Sequence, residues 1–400
     1  MKRLARNDLL NSFQQGIKDF QLNQEAYRKL ISGESGCRCP CVGLILSFAA
    51  PVYAIVIRLR NFLYSKGWFK TYKVNAAVIS IGNITVGGTG KTPLVIWVCK
   101  FLVQKNIQCA ILTRGYKTHT KERGTKDERR ETRDEGRGTR DEGRGTRIDE
   151  LAIFIESCPQ ASVIVNPDRV AGAAEAINKF GAKALIMDDG FQHRRLHRDI
   201  DIVTIDATCP LGHGRMFPAG LLREPVAALK RVDAVVITRC DQVSEAELSK
   251  LEEKIRQVNL NVIIARSIHK PIFAKSTNGK EIGIEQLKGK KIFAFCGIGN
   301  PQAFLDTIKN IGAEVVSFKI YDDHHHYSSD DATNIYKLAN NLKAELILTT
   351  QKDRTKIPVS ELIKKDIPMA YLVVEANFIS GEDKLKGLIE EALSGKILKN

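Results

Sequence analysis

Between residues 39 and 57 the chain carries no charge, and from residue 42 it reads VGLILSFAAPVYAIVI. The run sits at the short edge of the roughly 17–25 residues that a bilayer-spanning helix needs, and Pro51 lies within it. Arg58, Arg60, Lys66, Lys70 and Lys73 follow, interleaved with Phe62, Leu63, Tyr64, Trp68 and Phe69. An apolar stretch that runs into mixed basic and aromatic residues predicts an interfacial membrane anchor. The competing reading is a buried core helix with a solvated basic end. A cleaved signal peptide is disfavoured, because the polar leader is too long and no small-x-small site ends the run.

Past residue 73 the pattern changes to short β-branched runs alternating with helical ones. Residues 77–81, 109–113, 162–165, 184–187, 201–205 and 234–238 read as buried strands, and residues 92–103 and 168–180 as helices. Such alternation predicts an α/β fold with a mostly parallel sheet covered on both faces. A second α/β block opens at KKIFAFCGIGNP (290–301) and runs through AELILTT (344–350). Its G-x-G lacks the third glycine and the following acid of a dinucleotide turn, so it reads as a tight strand-to-helix connection. The expected organisation is a leader and anchor over 1–73, a core over 74–288 and a smaller C-terminal α/β domain over 289–400.

One segment departs from both patterns. TKDERRE, TRDEGRG and TRDEGRG, residues 125–145, are tandem heptads with no apolar position. The seven-residue period therefore cannot form a coiled-coil seam, and residues 117–147 read as a solvated insertion of mixed charge.

Composition adds little to the fold but narrows the partners. The 400 residues carry a net charge of +15, which suits an anionic membrane surface or a phosphorylated substrate. No nucleic-acid recognition signature accompanies the charge, and no obligate protein partner is evident. Nine cysteines without regular spacing favour a reducing compartment over a disulfide framework. Cys37, Cys39 and Cys41 form a C-x-C-x-C, with no matching pair at structural-zinc spacing.

The candidate chemistry starts at SIGNITVGGTGKTP, residues 80–93. It ends like a phosphate-binding P-loop but has Thr85 where the usual pattern wants glycine. A strand precedes it and a helix follows, which is the context the motif requires. Gly87, Gly88 and Gly90 would let backbone N–H groups approach phosphate oxygens at a helix N-terminus, with Thr85 and Thr89 completing the loop. Lys91 would reach the terminal phosphates of ATP and the Thr92 hydroxyl would ligate Mg²⁺. Asp188 and Asp189, in LIMDDGFQH, end a buried strand where a carboxylate would hold that metal.

GNITVGGTGKTP, TRGY (113–116), Asp149-Glu150, NPDRV (166–170), DDGFQH (188–193), PAGLLREP (218–225), FCGIGNP and DHHHY (323–327) occur in that order. Together they resemble the tetraacyldisaccharide 4'-kinase family, the lipid A 4'-kinases of Gram-negative bacteria, from about Tyr27 onward. That family also uses the Thr-Val-Gly-Gly form of the P-loop, and its apolar N-terminal helix anchors it to the inner membrane, with the catalytic domain on the cytoplasmic side. The resemblance implies transfer of the ATP γ-phosphoryl group to the 4'-hydroxyl of a lipid A disaccharide 1-phosphate. It implies Asp149 as the base that accepts the hydroxyl proton, with His324 orienting it or sharing the proton. It places Arg114 and Arg169 near phosphates or headgroup, with Glu150, Gln192 and His193 at the substrate.

Two departures from the family pattern flank the proposed base. The family has Gly before the Asp-Glu pair and Pro after it, whereas this chain has Ile148 and Leu151. The heptads carry Asp-Glu pairs of their own, at Asp134-Glu135 and Asp141-Glu142, but only Asp149 leads into an apolar helix able to fix a side chain. The runner-up is a GTPase of the metal-insertion or signal-recognition type, because TRCD (238–241) and TQKD (350–353) loosely echo a guanine-reading tetrapeptide. A run of three histidines, 324–326, also raises a metal site as an alternative.

Overall fold

The computed structural model describes residues 40–114, 148–323, 325–358 and 367–397, with backbone alone for 40–45, 148, 149 and 213. The heptads, Cys37, Cys39 and His324 lie outside the described residues.

Twelve strands form one sheet, and its centre is made by chains that bury both faces. β1 (Ala77–Asn83) lies between β4 (Ala184–Asp188) and β5 (Ile200–Asp206), all parallel and all buried. β2 (Cys109–Thr113) and β3 (Ser162–Val165) extend the sheet beyond β4, and β6 (Ala234–Thr238) extends it beyond β5. Continuous β-branched runs suit such strands because no face meets water.

The sheet does not stop where the second block begins. β7 (Ile263–Ser276) pairs in parallel with β6 through its first residues and antiparallel with β12 (Met369–Ser380) through the rest. β12 then leads to β11 (Leu346–Thr350), β9 (Lys291–Cys296) and the edge strand β10 (Glu314–Ile320), while β8 (Glu281–Gly283) pairs with β7. The expected boundary at 288/289 thus falls within a continuous hydrogen-bonded sheet.

Helices cover both faces. α1 (Pro40–Ser65) leads the described chain, α2 (Lys91–Gln104) follows β1 directly, and α3 (Ile148–Ser157) precedes β3. α4 (Arg169–Phe180) is capped by Asp168, whose carboxylate accepts from the N–H groups of Val170 and Ala171. α5 (Glu245–Val258), α6 (Pro301–Asn310), α7 (Ser329–Asn341) and the single turn α8 (Gln351–Arg354) follow. α9 (Glu382–Ile397) closes the chain, and its Leu385, Ile389 and Leu393 pack into the same core as Ala77, Ile79 and Leu94. The G-x-G of FCGIGNP is a strand-to-helix turn, as expected: Asn300 caps α6 by accepting from the Ala303 N–H.

Candidate active site

The glycine loop between β1 and α2 is held by strand ends on both sides. Gly87 and Gly90 have φ of 112° and 82°, a region that favours glycine, and Gly90 is the residue at which α2 starts. Thr85 is different: it pairs with Leu222 as an isolated antiparallel bridge, and Val86 donates its N–H to the Leu221 carbonyl at 2.7 Å. The Arg223 N–H is bonded to the Ile84 carbonyl at 2.7 Å. The loop entrance is therefore extended backbone clamped by PAGLLREP, which a threonine adopts without strain. Deeper in, the Thr89 and Thr204 hydroxyls meet at 2.7 Å, Thr238 donates to the Thr89 carbonyl, and Arg239 donates to that of Gly88. The ends of β5 and β6 thus fix the shape of the cradle.

Charge converges on its open side. Lys91 lies 3.5 Å from Asp189, and Arg223 donates to both Asp189 carboxylate oxygens at 3.1 Å. Burial would raise the Asp189 carboxyl, but the Lys91 and Arg223 cations overturn that effect and hold it at about 2. Asp188 sits across from Ile81 of β1, is 4% exposed, and has no ion pair within 4 Å among the described residues. Burial, with the charges of Glu150 and Asp189, pushes its carboxyl up to about 7. Glu150, from α3, accepts from Lys352 Nζ of α8 at 2.8 Å.

The remaining candidates have specific partners. Arg169 is buried and donates to the backbone carbonyls of Asn166 and Asp188, so it fixes the strand end that carries the acid pair. The Gln192 side-chain amide donates to the Asn83 carbonyl at 2.9 Å, and the Gln192 backbone carbonyl accepts from Arg60 of α1. Burial and the nearby Arg169, Arg114 and Arg60 cations push His193 down to about 4, so it is neutral at physiological pH. Arg114 is exposed beside that group. Asp149 lies on the first turn of α3, one residue before Glu150. His325 bonds Asp331 at 3.1 Å and stacks on Tyr321, which gives it a structural part in docking α7.

The family model for tetraacyldisaccharide-1-P 4'-kinase matches residues 42–394. This chain belongs to that family. It is similar to the tetraacyldisaccharide 4'-kinase of Halothermothrix orenii, 34% identical over 375 residues, covering 90% of this chain and 94% of the relative. The corresponding enzyme of Syntrophus aciditrophicus is 36% identical over 350 residues, covering 86% and 89%. Among solved structures it is similar to LpxK from Aquifex aeolicus in complex with ATP, with a TM-score of 0.61, 27% identity, and coverage of 88% and 99%. The enzyme is a kinase of lipid A biosynthesis that phosphorylates the 4'-hydroxyl of tetraacyldisaccharide 1-phosphate.

With a tetraacyldisaccharide 4'-kinase in view, the GTPase alternative is not favoured. The two tetrapeptides that suggested it have other tasks: Thr238 and Arg239 brace the glycine loop, and Lys352 reaches Glu150. Sequence reasoning missed Arg223, Lys352 and His269 as residues of the kinase site. The Nε2 of His269 lies against Gly90, and burial beside Arg239 pushes this imidazole down to about 3. Arg223 carried a readable signal in its place in PAGLLREP and Lys352 in its place in TQKD, which was read for another task; His269 carried none.

The Asp188 environment has a measurable consequence for the empty kinase. An acid whose folded value near 7 exceeds its unfolded value of 3.8 weakens the fold as pH rises through that window, with the whole penalty present above it. Asp188→Asn should therefore melt higher than wild type at pH 8 without divalent metal, by at least about 2 °C. The gap should close by about pH 4. Identical melting at pH 8 would show that Asp188 carries no such charge penalty.

Proposed function

We propose that this kinase acts while lying on the cytoplasmic leaflet of the bacterial inner membrane, with α1 as its interfacial anchor and the anionic lipid disaccharide as its substrate. The observation that carries the proposal is the two-sidedness of α1. Phe48, Val52, Ile55, Val56, Leu59 and Phe62 are exposed and follow helical spacing along one face. On the other, Leu46, Ala50 and Ala54 are buried, Tyr53 donates to the Arg223 carbonyl, and Asn61 donates to Glu224. The 20 residues from Leu46 to Ser65 are long and apolar enough to cross a bilayer. A spanning helix would lose those hydrogen bonds to the site loops, which favours one that lies in the interface.

The residues fit Mg²⁺. Hard oxygen donors suit it, and the Asp188 carboxylate, buried among like charges, calls for a cation. Thr92 and Asp188 would hold the ion, with Asp189 beside them, although Asp189 is already engaged by Lys91 and Arg223. When bound, the ion neutralises charge on the transferring phosphoryl group. The glycine loop binds and orients the ATP phosphates, and Lys91 pairs with them. Asp149 takes the proton as the 4'-oxygen bonds to the γ-phosphorus and the bond to the leaving ADP breaks. A carboxylate with a pKa near 4 is a weak base, and a histidine partner gives the proton a route onward. Arg114 and Arg169, with Glu150, Gln192 and His193, form the substrate side of the site in this reading.

Labelled ATP and tetraacyldisaccharide 1-phosphate provide the test. The wild type should transfer phosphate in a Mg²⁺-dependent manner. With Val52, Ile55, Val56 and Leu59 all changed to serine, partition onto anionic vesicles should weaken by at least about tenfold. Transfer to vesicle-embedded substrate should fall with it, while detergent-dispersed substrate is phosphorylated as before. Unchanged partition would remove α1 from its role as anchor.

A further inference from the structure

We propose that Asn300, in the strand-to-helix turn of FCGIGNP, is a positioning residue for ATP: it orients the Asp206–Arg239 pair that holds the glycine loop at Gly88. The inference rests on the reading that this loop receives the ATP phosphates, and it extends that site to a residue of the second α/β block.

A β-carbon at Gly88 would meet no atom within 4 Å, so the loop is open on that side, and its carbonyl accepts from Arg239 Nη1 at 3.1 Å. The same nitrogen donates to the Asp206 carboxylate. A guanidinium is planar and its donors are rigidly spaced, so the place of the Asp206 carboxylate decides whether Nη1 can reach Gly88. Arg239 makes both bonds from a left-handed backbone, φ 56°, which a residue other than glycine keeps only where its surroundings hold it.

Asn300 supplies part of that hold. Asp206 ends β5, and its Oδ1 accepts from the backbone N–H and the hydroxyl of Thr208 at 3.0 and 2.7 Å. The Asn300 Nδ2 donates to Asp206 Oδ2 at 3.3 Å and to Thr208 Oγ1 at 2.9 Å. With the Arg239 and Asp206 side chains 9% and 7% exposed, water competes little for the hydrogen bonds that orient them. The other end of the Asn300 amide stays with its own helix, accepting from the Ala303 N–H at 3.2 Å.

Strand pairing does not bring these groups together. Asn300 follows β9, and β11, β12, β7 and β6 stand between β9 and β5 in the sheet, roughly 24 Å at the usual strand spacing. The contact is made across the strand ends, by side chains. It has a second point: Gln242 closes the turn that Arg239 opens, and its amide donates to the Ala303 carbonyl at 3.3 Å. The first turn of α6 therefore braces Arg239 both through Asp206 and through Gln242. Without this bracing, the order of the loop must come from the binding energy of ATP, so its loss falls on Kd and not on kcat at saturation.

The test uses substitutions that keep the helix cap. Asn300→Ser retains a capping oxygen but not the amide donor, and Asn300→Asp retains the cap while setting a second carboxylate beside Asp206. Calorimetric titration of the full-chain enzyme with a non-hydrolysable ATP analogue should show Kd raised about tenfold for Asn300→Ser and about 100-fold for Asn300→Asp. kcat at saturating ATP should stay within about twofold of wild type. Removing one charge of a buried pair strands the other, so the pair is removed whole, as Asp206→Asn with Arg239→Met. In that background Asn300→Ser should change Kd little further, because groups that act as a unit are non-additive. Wild-type Kd in both Asn300 variants, a fall in kcat with Kd unchanged, or a further tenfold loss in the neutral-pair background would overturn the proposal. The Asn300 variants decide by themselves should the neutral pair not fold. If Lys91→Ala binds the analogue like wild type, the reading of the loop fails first; if Lys91→Ala loses binding while both Asn300 variants keep it, only this inference fails.

Discussion

Asp149→Ala is expected to lower kcat by about 10²–10⁴-fold, the usual contribution of a general base, and to leave the KM for ATP nearly unchanged. The expectation follows from the engagements of the neighbouring groups. Lys91 is a cation directed at phosphate and salt-bridged to Asp189, which Arg223 also holds. Asp188 is the buried acid suited to a metal, and Glu150 is bonded to Lys352. In this reading each of them already has another task, which leaves Asp149 for the proton. His324→Ala should cost less, and the double variant should be no slower than Asp149→Ala alone. Steady-state transfer assays on the three proteins decide the matter. Losses that multiply would mean the two residues are uncoupled, and a fully active Asp149→Ala would assign the base to another acid.

The second large effect is expected at Gly90. A β-carbon there would lie 2.6 Å from His269 Nε2 and 3.1 Å from the Thr238 side chain, at a φ of 82°. The left-handed backbone alone costs alanine roughly 1–2 kcal/mol, and relieving the collision must move the buried His269 ring or the loop itself. Since the N–H groups that receive phosphate belong to this loop, Gly90→Ala should weaken ATP binding by about 100-fold or more. Adding His269→Ala should recover part of that loss by removing the collision but not the strain. Calorimetric titration with a non-hydrolysable ATP analogue would measure both, and binding by Gly90→Ala equal to wild type would contradict the cradle described here.

The central strands were legible because both their faces are buried, so β4 and β6 read as nearly continuous apolar runs and β1 and β5 as β-branched runs with only a few polar residues among them. β7 and β12 were not. β7 reads IIARSIHKPIFAKS, half-buried and charged, with Pro271 in its interior. That proline sits at a register shift against Val373 and Val374 of β12, where a missing N–H is tolerated. The P-loop and the acid pair could be placed because each is local in sequence. Lys352 could not, because its partner Glu150 is 202 residues away and only the folded sheet brings them together. Arg169 shows the converse limit: its motif marked it as a site residue, but only the structure shows its guanidinium holding the backbone of Asp188.

The return of α9 to the first core has a kinetic meaning. Leu385, Ile389 and Leu393 complete the hydrophobic layer around Ala77 and Ile79, roughly 300 residues earlier in the chain. At about 5–20 residues per second, some 15–60 s of synthesis separates the first of these strands from the helix that covers them. Through that interval the ATP-binding half remains an open layer, whereas the apolar face of α1 has already left the ribosome. If α1 anchors the enzyme as proposed, the nascent chain would therefore be able to meet the membrane surface before its catalytic core has closed.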